Sequence, residues 1–236
     1  PLHTTDGIYW TAEVELEIPH EGMIINYNYQ IEQNGIVIRR EWDSFPRSIF
    51  LSGTSKKIYR INDCWKNIPE QSYLYSSAFT EALLAHPERE SIPQSYKKGL
   101  VIKAYAPHIN KDYCLAICGN QKSLGHWDPE KAVLMSDANF PEWQIELDAS
   151  KLKYPLEYKF ILYNKQEKKA DCWEKNPNRY LADPELKTNE TLVISDRYAY
   201  FDIPAWKGAG IAIPVFSLKS EKSFGVGDFG DLKRMC

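Results

Sequence analysis

The chain has 236 residues and a net charge of −3, with 43% hydrophobic and 26% charged residues, which is the balance of a globular protein of one or two domains. No block of Lys and Arg marks a nucleic-acid or anionic-membrane surface, and no apolar run approaches the ~18 residues of a membrane-spanning helix. Fifteen Tyr and seven Trp exceed what a core of this size requires, so some rings belong on a surface where a flat amphipathic plate serves recognition.

In chain order, residues 10–18 alternate, with Ala12, Val14, Leu16 and Ile18 on one side and Glu13, Glu15 and Glu17 on the other. That predicts a half-buried strand with a solvated acidic face. Acid–base chemistry by these three carboxylates is the other reading, but nothing sets one pKa apart from the rest. Residues 23–32 and 36–42 flank Asn34-Gly35 and predict a hairpin. Residues 48–51 and 58–65 read as two further strands, and the Pro, Ser and Gln of 66–98 as a linker with a short helix at 77–85. A second set of strands follows at 100–106, 113–118, 143–147, 158–163, 170–173 and 191–201. Many short strands, turn punctuation and almost no helix predict an all-β sandwich.

The two sets are related. Tyr27-Asn28-Tyr29 and Tyr158-Lys159-Phe160 stand the same distance ahead of Trp42 and Trp173, and Trp10 and Asp63-x-Trp65 find counterparts at Trp143 and Asp196-x-Tyr198, all at offsets of about 131–133. On this alignment two copies of one β-domain lie in tandem, with the opening strands of the first copy missing.

The five cysteines, Cys64, Cys114, Cys118, Cys172 and Cys236, are odd in number and irregularly spaced, which points to a reducing compartment. Cys114 and Cys118 share a strand face; a metal pair is conceivable, but with no second pair at ligand spacing they read as small buried hydrophobes. The tail changes character: the apolar run 211–216, then Ser217-Leu218 and Gly225-Val226-Gly227-Asp228-Phe229-Gly230, read as a buried strand, a Gly-rich loop and the start of a helix. A dinucleotide loop is the weaker reading, because the third Gly is misplaced and Asp228 would repel a phosphate.

Trp173-Glu174-Lys175-Asn176-Pro177-Asn178-Arg179 combines an indole with hydrogen-bonding groups in a stiffened turn. Taken alone it is either a hairpin corner or a binding surface. Leu124-Gly125-His126-Trp127-Asp128-Pro129 places another indole in a turn-rich loop, and Lys159 sits within an apolar strand, where a charge requires a reason.

With Trp143 and Glu157-Tyr158-Lys159-Phe160, these blocks make residues 99–201 resemble the family 20 starch-binding module, and residues 7–65 are similar to the later part of a diverged second one. Residues 208–230 resemble the opening of the family 77 α-glucanotransferases, at Ser217, Gly225, Gly227 and Asp228. The resemblance implies two tandem immunoglobulin-like β-sandwiches, the first truncated, at 1–65 and 99–203, a linker at 66–98, and the first βα unit of a (β/α)8 barrel at 204–236. It implies a cytoplasmic 4-α-glucanotransferase as parent, working by retaining double displacement. Its catalytic carboxylates would lie beyond this sequence, and no cofactor or metal is expected. The partner would be an α-1,4-glucan polysaccharide or maltooligosaccharide, with neither nucleic acid nor membrane. A non-catalytic adaptor that targets a partner to starch or glycogen is the other reading.

The family's principal glycan site maps onto Trp127, Lys159, Trp173, Glu174 and Asn178. Trp143 and Trp42 are further candidates. For Trp143 the core reading competes, because Lys111 and Ser136 stand where the family's second site has tyrosines, with Tyr113 or Phe140 as substitutes. Trp42 takes the Trp173 position on the alignment above, with Asn28 for the Lys and Asp43 for the Glu.

Overall fold

The structure is a computed structural model and describes residues 1–53, 56–86, 96–202, 217–221, 223 and 225–235. Its strands are β1 (Met23–Tyr27), β2 (Gln30–Gln33), β3 (Ile36–Arg40), β4 (Arg47–Leu51), β5 (Ile58–Asn62), β6 (Lys98–Tyr105), β7 (Tyr113–Gly119), β8 (Val133–Leu134), β9 (Ser136–Asn139), β10 (Glu142–Asp148), β11 (Leu156–Asn164), β12 (Lys169–Trp173), β13 (Arg179–Leu181) and β14 (Glu190–Tyr198). Among the described residues one α-helix, α1 (Phe229–Met235), lies in the tail. The chain divides into two compact units, residues 1–202 and 203–236.

The larger unit is built on two five-stranded sheets. The first runs β5-β14-β6-β10-β9; the second runs β12-β11-β7-β8, with β13 also paired to β11. Between them lies a core that includes Leu100, Ile102, Leu115, Trp143 and Phe160, each at most 2% exposed. Face-to-face packing of this kind is a sandwich. Almost every residue of β6 is buried, as in a strand covered on both faces. Its second cover comes from the chain's first quarter. Ile49 and Leu51 of β4 pack with Val101 and Val193, and Ile18, Ile25, Tyr27 and Tyr59 close around them.

The first quarter also enters the sheet itself. β5 pairs with β14 in parallel, from Ile58 opposite Glu190 to Asn62 opposite Ile194. Lys103, only 3% exposed on β6, needs acceptors for its ammonium, and finds the Ser48 carbonyl and, at 3.0 Å, Glu142. Asn139 Nδ2 donates to Ser48 Oγ at 2.8 Å. The stretch expected as a plain linker contributes a buried anchor: Tyr75 meets Trp42 edge-on with centroids 4.9 Å apart, and Phe45 and Tyr105 join the cluster. Segments that the sequence separates at 65 and 98 thus share one unit.

Several expectations change. Residues 10–18 form no strand; Thr11 makes an isolated bridge to His3, while Val14 and Leu16 stay exposed. Alternation supplies a face but no backbone partner, and here no neighbouring strand provides one. Residues 23–32 break into β1 and β2. The helix expected at 77–85 is a π-helical turn at Ala78–Leu83. The apolar run 211–216, read as a first barrel strand, lies outside the described residues, as do residues 87–95 of the expected linker. In the small unit, Asp231 accepts from Ser220 and Ser223 and pairs with Arg234, and these hydrogen bonds hold its carboxyl well below the usual carboxylate range. No helix of the described residues is long and apolar enough to cross a membrane.

Candidate carbohydrate-binding site

β11 is the floor of the site. Leu156, Tyr158, Phe160 and Leu162 turn into the sandwich and are buried, so Glu157, Lys159 and Ile161 lie on the opposite face. The register places Trp173 opposite Ile161 and Tyr180 opposite Glu157, which puts both rings on that face, flanking Lys159. From residue 161 to residue 157 the floor extends roughly 13 Å at strand spacing.

Trp127 reaches the same face from a loop. Leu124 is fully buried and anchors it, and Ala132 packs with Ala116, Cys118 and Ile161 beneath. Gly125, His126 and Trp127 are consecutive left-handed residues, at φ of +78°, +51° and +60°. That conformation costs a residue with a side chain of order 1 kcal/mol or more, and such outliers cluster at ligand-binding positions. A Cβ at Gly125 would lie 2.7 Å from the Lys131 carbonyl oxygen, so the turn demands glycine twice, for its φ and for its space. The loop continues into a one-turn 3-10 segment, Pro129–Lys131, capped by Asp128, whose carboxylate accepts from the Glu130 N–H and from Lys131 Nζ. The Lys131 bond lowers the Asp128 pKa. The result brings the Trp127 and Trp173 rings to 6.1 Å between centroids at 47°, an open V rather than a stack. Trp173 remains 37% exposed.

The other expected site residues separate into two groups. Lys159 is half-buried on the site face, and Asn178 is exposed and donates to Glu157 Oε1 at 2.8 Å. Glu174 differs from expectation. It is 2% exposed, accepts the Phe160 N–H at 2.7 Å and pairs with Arg179, whose guanidinium lies 4.4 Å from the Phe160 ring centroid. Its carboxylate fastens the corner beneath Trp173 instead of facing a ligand. Trp143 is 0% exposed, donates its indole N–H to the Ala106 carbonyl, and is covered by His86 and Phe140. The core reading of that residue holds in this structure.

Trp42 does not stand where the alignment put it. In the second sheet the Glu174 N–H donates to the Phe160 carbonyl, and Phe160 N–H donates back to the Glu174 carboxylate. In the first quarter Glu41 and Tyr29 exchange the same two bonds, and Arg47 closes on Glu41 as Arg179 closes on Glu174. β1 meets β4 with Tyr27 opposite Arg47, as β11 meets β13 with Tyr158 opposite Arg179. Arg40, opposite Gln30, therefore occupies the place of Trp173, opposite Ile161, and Glu41 rather than Asp43 that of Glu174. Trp42 turns away, half-buried against Tyr75, with Lys66 Nζ 5.8 Å from its ring centroid.

Tyr180, 69% exposed, and Glu157 complete the site without having been singled out as ligand contacts. The three-residue β13 carries no periodic signal; only its register to β11 reveals Tyr180. Among the described residues no group of three or more His, Cys, Asp or Glu could hold a metal. Cys114 and Cys118 are buried thiols, with Cys114 Sγ near the Leu115 and Met135 carbonyls.

Residues 101–193 match the family model described as a starch binding domain. The chain is 27% identical over 99% of its length to the 4-alpha-glucanotransferase DPE2 of Oryza sativa subsp. japonica, and spans about 25% of that protein. Among solved structures it is similar to the family 20 CBM of the maltotetraose-forming amylase of Pseudomonas saccharophila STB07, at 16% identity over 40% of this chain and 98% of that one, with a TM-score of 0.33. Hormoconis resinae glucoamylase is 15% identical over 52% of this chain and 20% of its own, with a TM-score of 0.37.

Proposed function

We propose that residues 99–202 bind α-1,4-glucan on the β11 face, with Trp127 and Trp173 as the plates, and that the chain is the glucan-docking region of a 4-α-glucanotransferase. The observation that carries this reading is the open pair of indoles, 6.1 Å apart and set by a strained turn on one side and a buried ion pair on the other. A glucose ring has an apolar C–H face, which suits an aromatic plate, and a hydroxyl rim, which suits Lys159, Asn178 and Glu157. Each ring contact contributes ~0.5–1.5 kcal/mol beyond area burial, and each hydrogen bond a similar net amount. Two plates inclined to one another fit a glucan that curves.

The match of residues 101–193 to the starch binding domain supports the ligand class, and the relative from rice supports the parent activity. The recurrence of the Glu–Arg fastening supports a duplicated module, with the first quarter as the partial copy. Cys64, Cys114, Cys118 and Cys172 form no disulfide, which suits a reducing, cytoplasmic setting. Catalysis belongs to carboxylates of a barrel outside these residues, so residues 1–236 alone should transfer no glucosyl units between maltotriose molecules.

Calorimetric titration with β-cyclodextrin tests the site. Trp173→Ala and Trp127→Ala should each weaken binding at least tenfold with unchanged circular dichroism. Wild-type affinity in Trp173→Ala refutes the assignment.

A further inference from the structure

We infer that the first quarter carries a second saccharide site of a different kind, one that grips hydroxyl groups without an aromatic plate. This rests on the glucan reading above. The place is fixed by the shared Glu–Arg fastening. Asn28 and Gln30 follow β1 on one face, and Arg40 lies directly opposite Gln30. These three repeat the positions of Lys159, Ile161 and Trp173 around β11. A cleft of about 240 Å³ opens there, lined by Asn28, Tyr29, Gln30, Arg40, Glu41 and Asp43.

The chemistry of the lining decides the ligand class. Tyr29 offers no plate, because its hydroxyl donates to Asp63 at 3.0 Å and Arg47 lies 5.4 Å from its ring centroid. Glu41 is occupied by Arg47 and by the N–H groups of Tyr29 and Lys66. Arg40, Asp43, Asn28 and Gln30 are exposed and alternate donors with acceptors around the opening. Around it, the cations Arg40, Arg47 and Lys66 face the anions Asp43, Glu41 and Asp63. That balance gives no preference for a phosphate or carboxylate and suits a neutral polyol, whose vicinal hydroxyls both donate and accept. A guanidinium beside a carboxylate meets such a pair edge-on.

The site binds the hydroxyl edge of a glucan, is weak by itself, and acts on a polymer already held at Trp173. Both sites lie in one compact unit, joined by the β5–β14 pairing, so a long chain or branched particle can engage both at a high effective concentration. A ring-sized ligand cannot.

Arg40→Ala/Asp43→Ala, prepared in residues 1–236, is compared with wild type and Trp173→Ala against β-cyclodextrin and against glycogen. The expected result is unchanged β-cyclodextrin affinity in the double variant and a three- to tenfold loss on glycogen. Equal glycogen affinity of wild type and double variant overturns the second site and leaves the first intact. Tighter binding of a phosphorylated maltooligosaccharide than of its neutral counterpart, lost in Arg40→Ala, overturns the assigned ligand class. Absence of any glucan binding by the wild type instead refutes the underlying reading of the Trp173 site.

Discussion

Arg179→Ala should destabilise the larger unit by about 3–5 kcal/mol, the cost of leaving one partner of a buried ion pair without the other. The Glu174 side chain is 0% exposed and that of Arg179 13%, so water cannot replace the guanidinium. The carboxylate keeps the Phe160 N–H, and Arg179 also covers the Phe160 ring, so Arg179→Met separates the loss of charge from the loss of packing. Glu174→Gln/Arg179→Met removes both charges, preserves the acceptor for the Phe160 N–H, and should recover more than half of the loss. Arg47→Ala supplies a comparison within the same chain. It strands two carboxylates, Glu41 and Asp63, and gives up a hydrogen bond to the Cys64 carbonyl, so it should cost at least as much as Arg179→Ala. Urea unfolding followed by tryptophan fluorescence measures each variant. A loss below 1 kcal/mol for Arg179→Ala, at unchanged m-value, refutes the view that this pair fastens the corner.

Gly125→Ala should cost about 1–3 kcal/mol and weaken β-cyclodextrin binding, because a Cβ clashes with the Lys131 carbonyl and displaces Trp127; the same titration and unfolding experiments read both effects. Ile49→Ala should lose about 2–5 kcal/mol, as for a truncation inside a core, although Ile49 lies outside the 99–202 stretch, and thermal unfolding should remain a single transition. Burial lowers the His108 pKa from 6.5 to about 4. Between those values the unfolded chain binds the proton and the folded one does not, so stability falls as pH drops from 6.5 toward 4. His108→Gln should flatten that part of the stability–pH curve, measured by urea midpoints across the window.

Much of the second sheet was legible because its residues obey simple rules. The apolar run of residues 158–163 and the turn formers after Cys118 place β11, β7 and the Trp127 loop within two residues or so. Lys159 stood out by sitting in an apolar strand. Two things were hidden. Strands as short as β8, β9 and β13 have no period to read; they exist because a longer neighbour offers them hydrogen bonds. The likeness between the two sets was also visible, but its alignment followed the large, conspicuous tryptophans, whereas the matching hydrogen bonds follow the buried carboxylate. Glu41 precedes Trp42 as an ordinary polar residue in the sequence, and only the bonds to Tyr29 and Arg47 show that it keeps the place of Glu174. For the same reason Glu174 looked like a ligand contact: a carboxylate beside an exposed indole gives no sign of which of the two faces inward.

The parallel pairing of β5 with β14 has a mechanical side. A pull on residue 1 along the strand axis, against the rest of the unit, would load β5 lengthwise against β14. Strands joined in parallel and loaded this way slide in shear, so the bonds between Ile58–Asn62 and Glu190–Ile194 share the load and must fail together. The antiparallel β2–β3 hairpin, pulled at its open end, would unzip one pair at a time. The joint between the two halves of the unit is therefore the part best placed to resist tension along that axis.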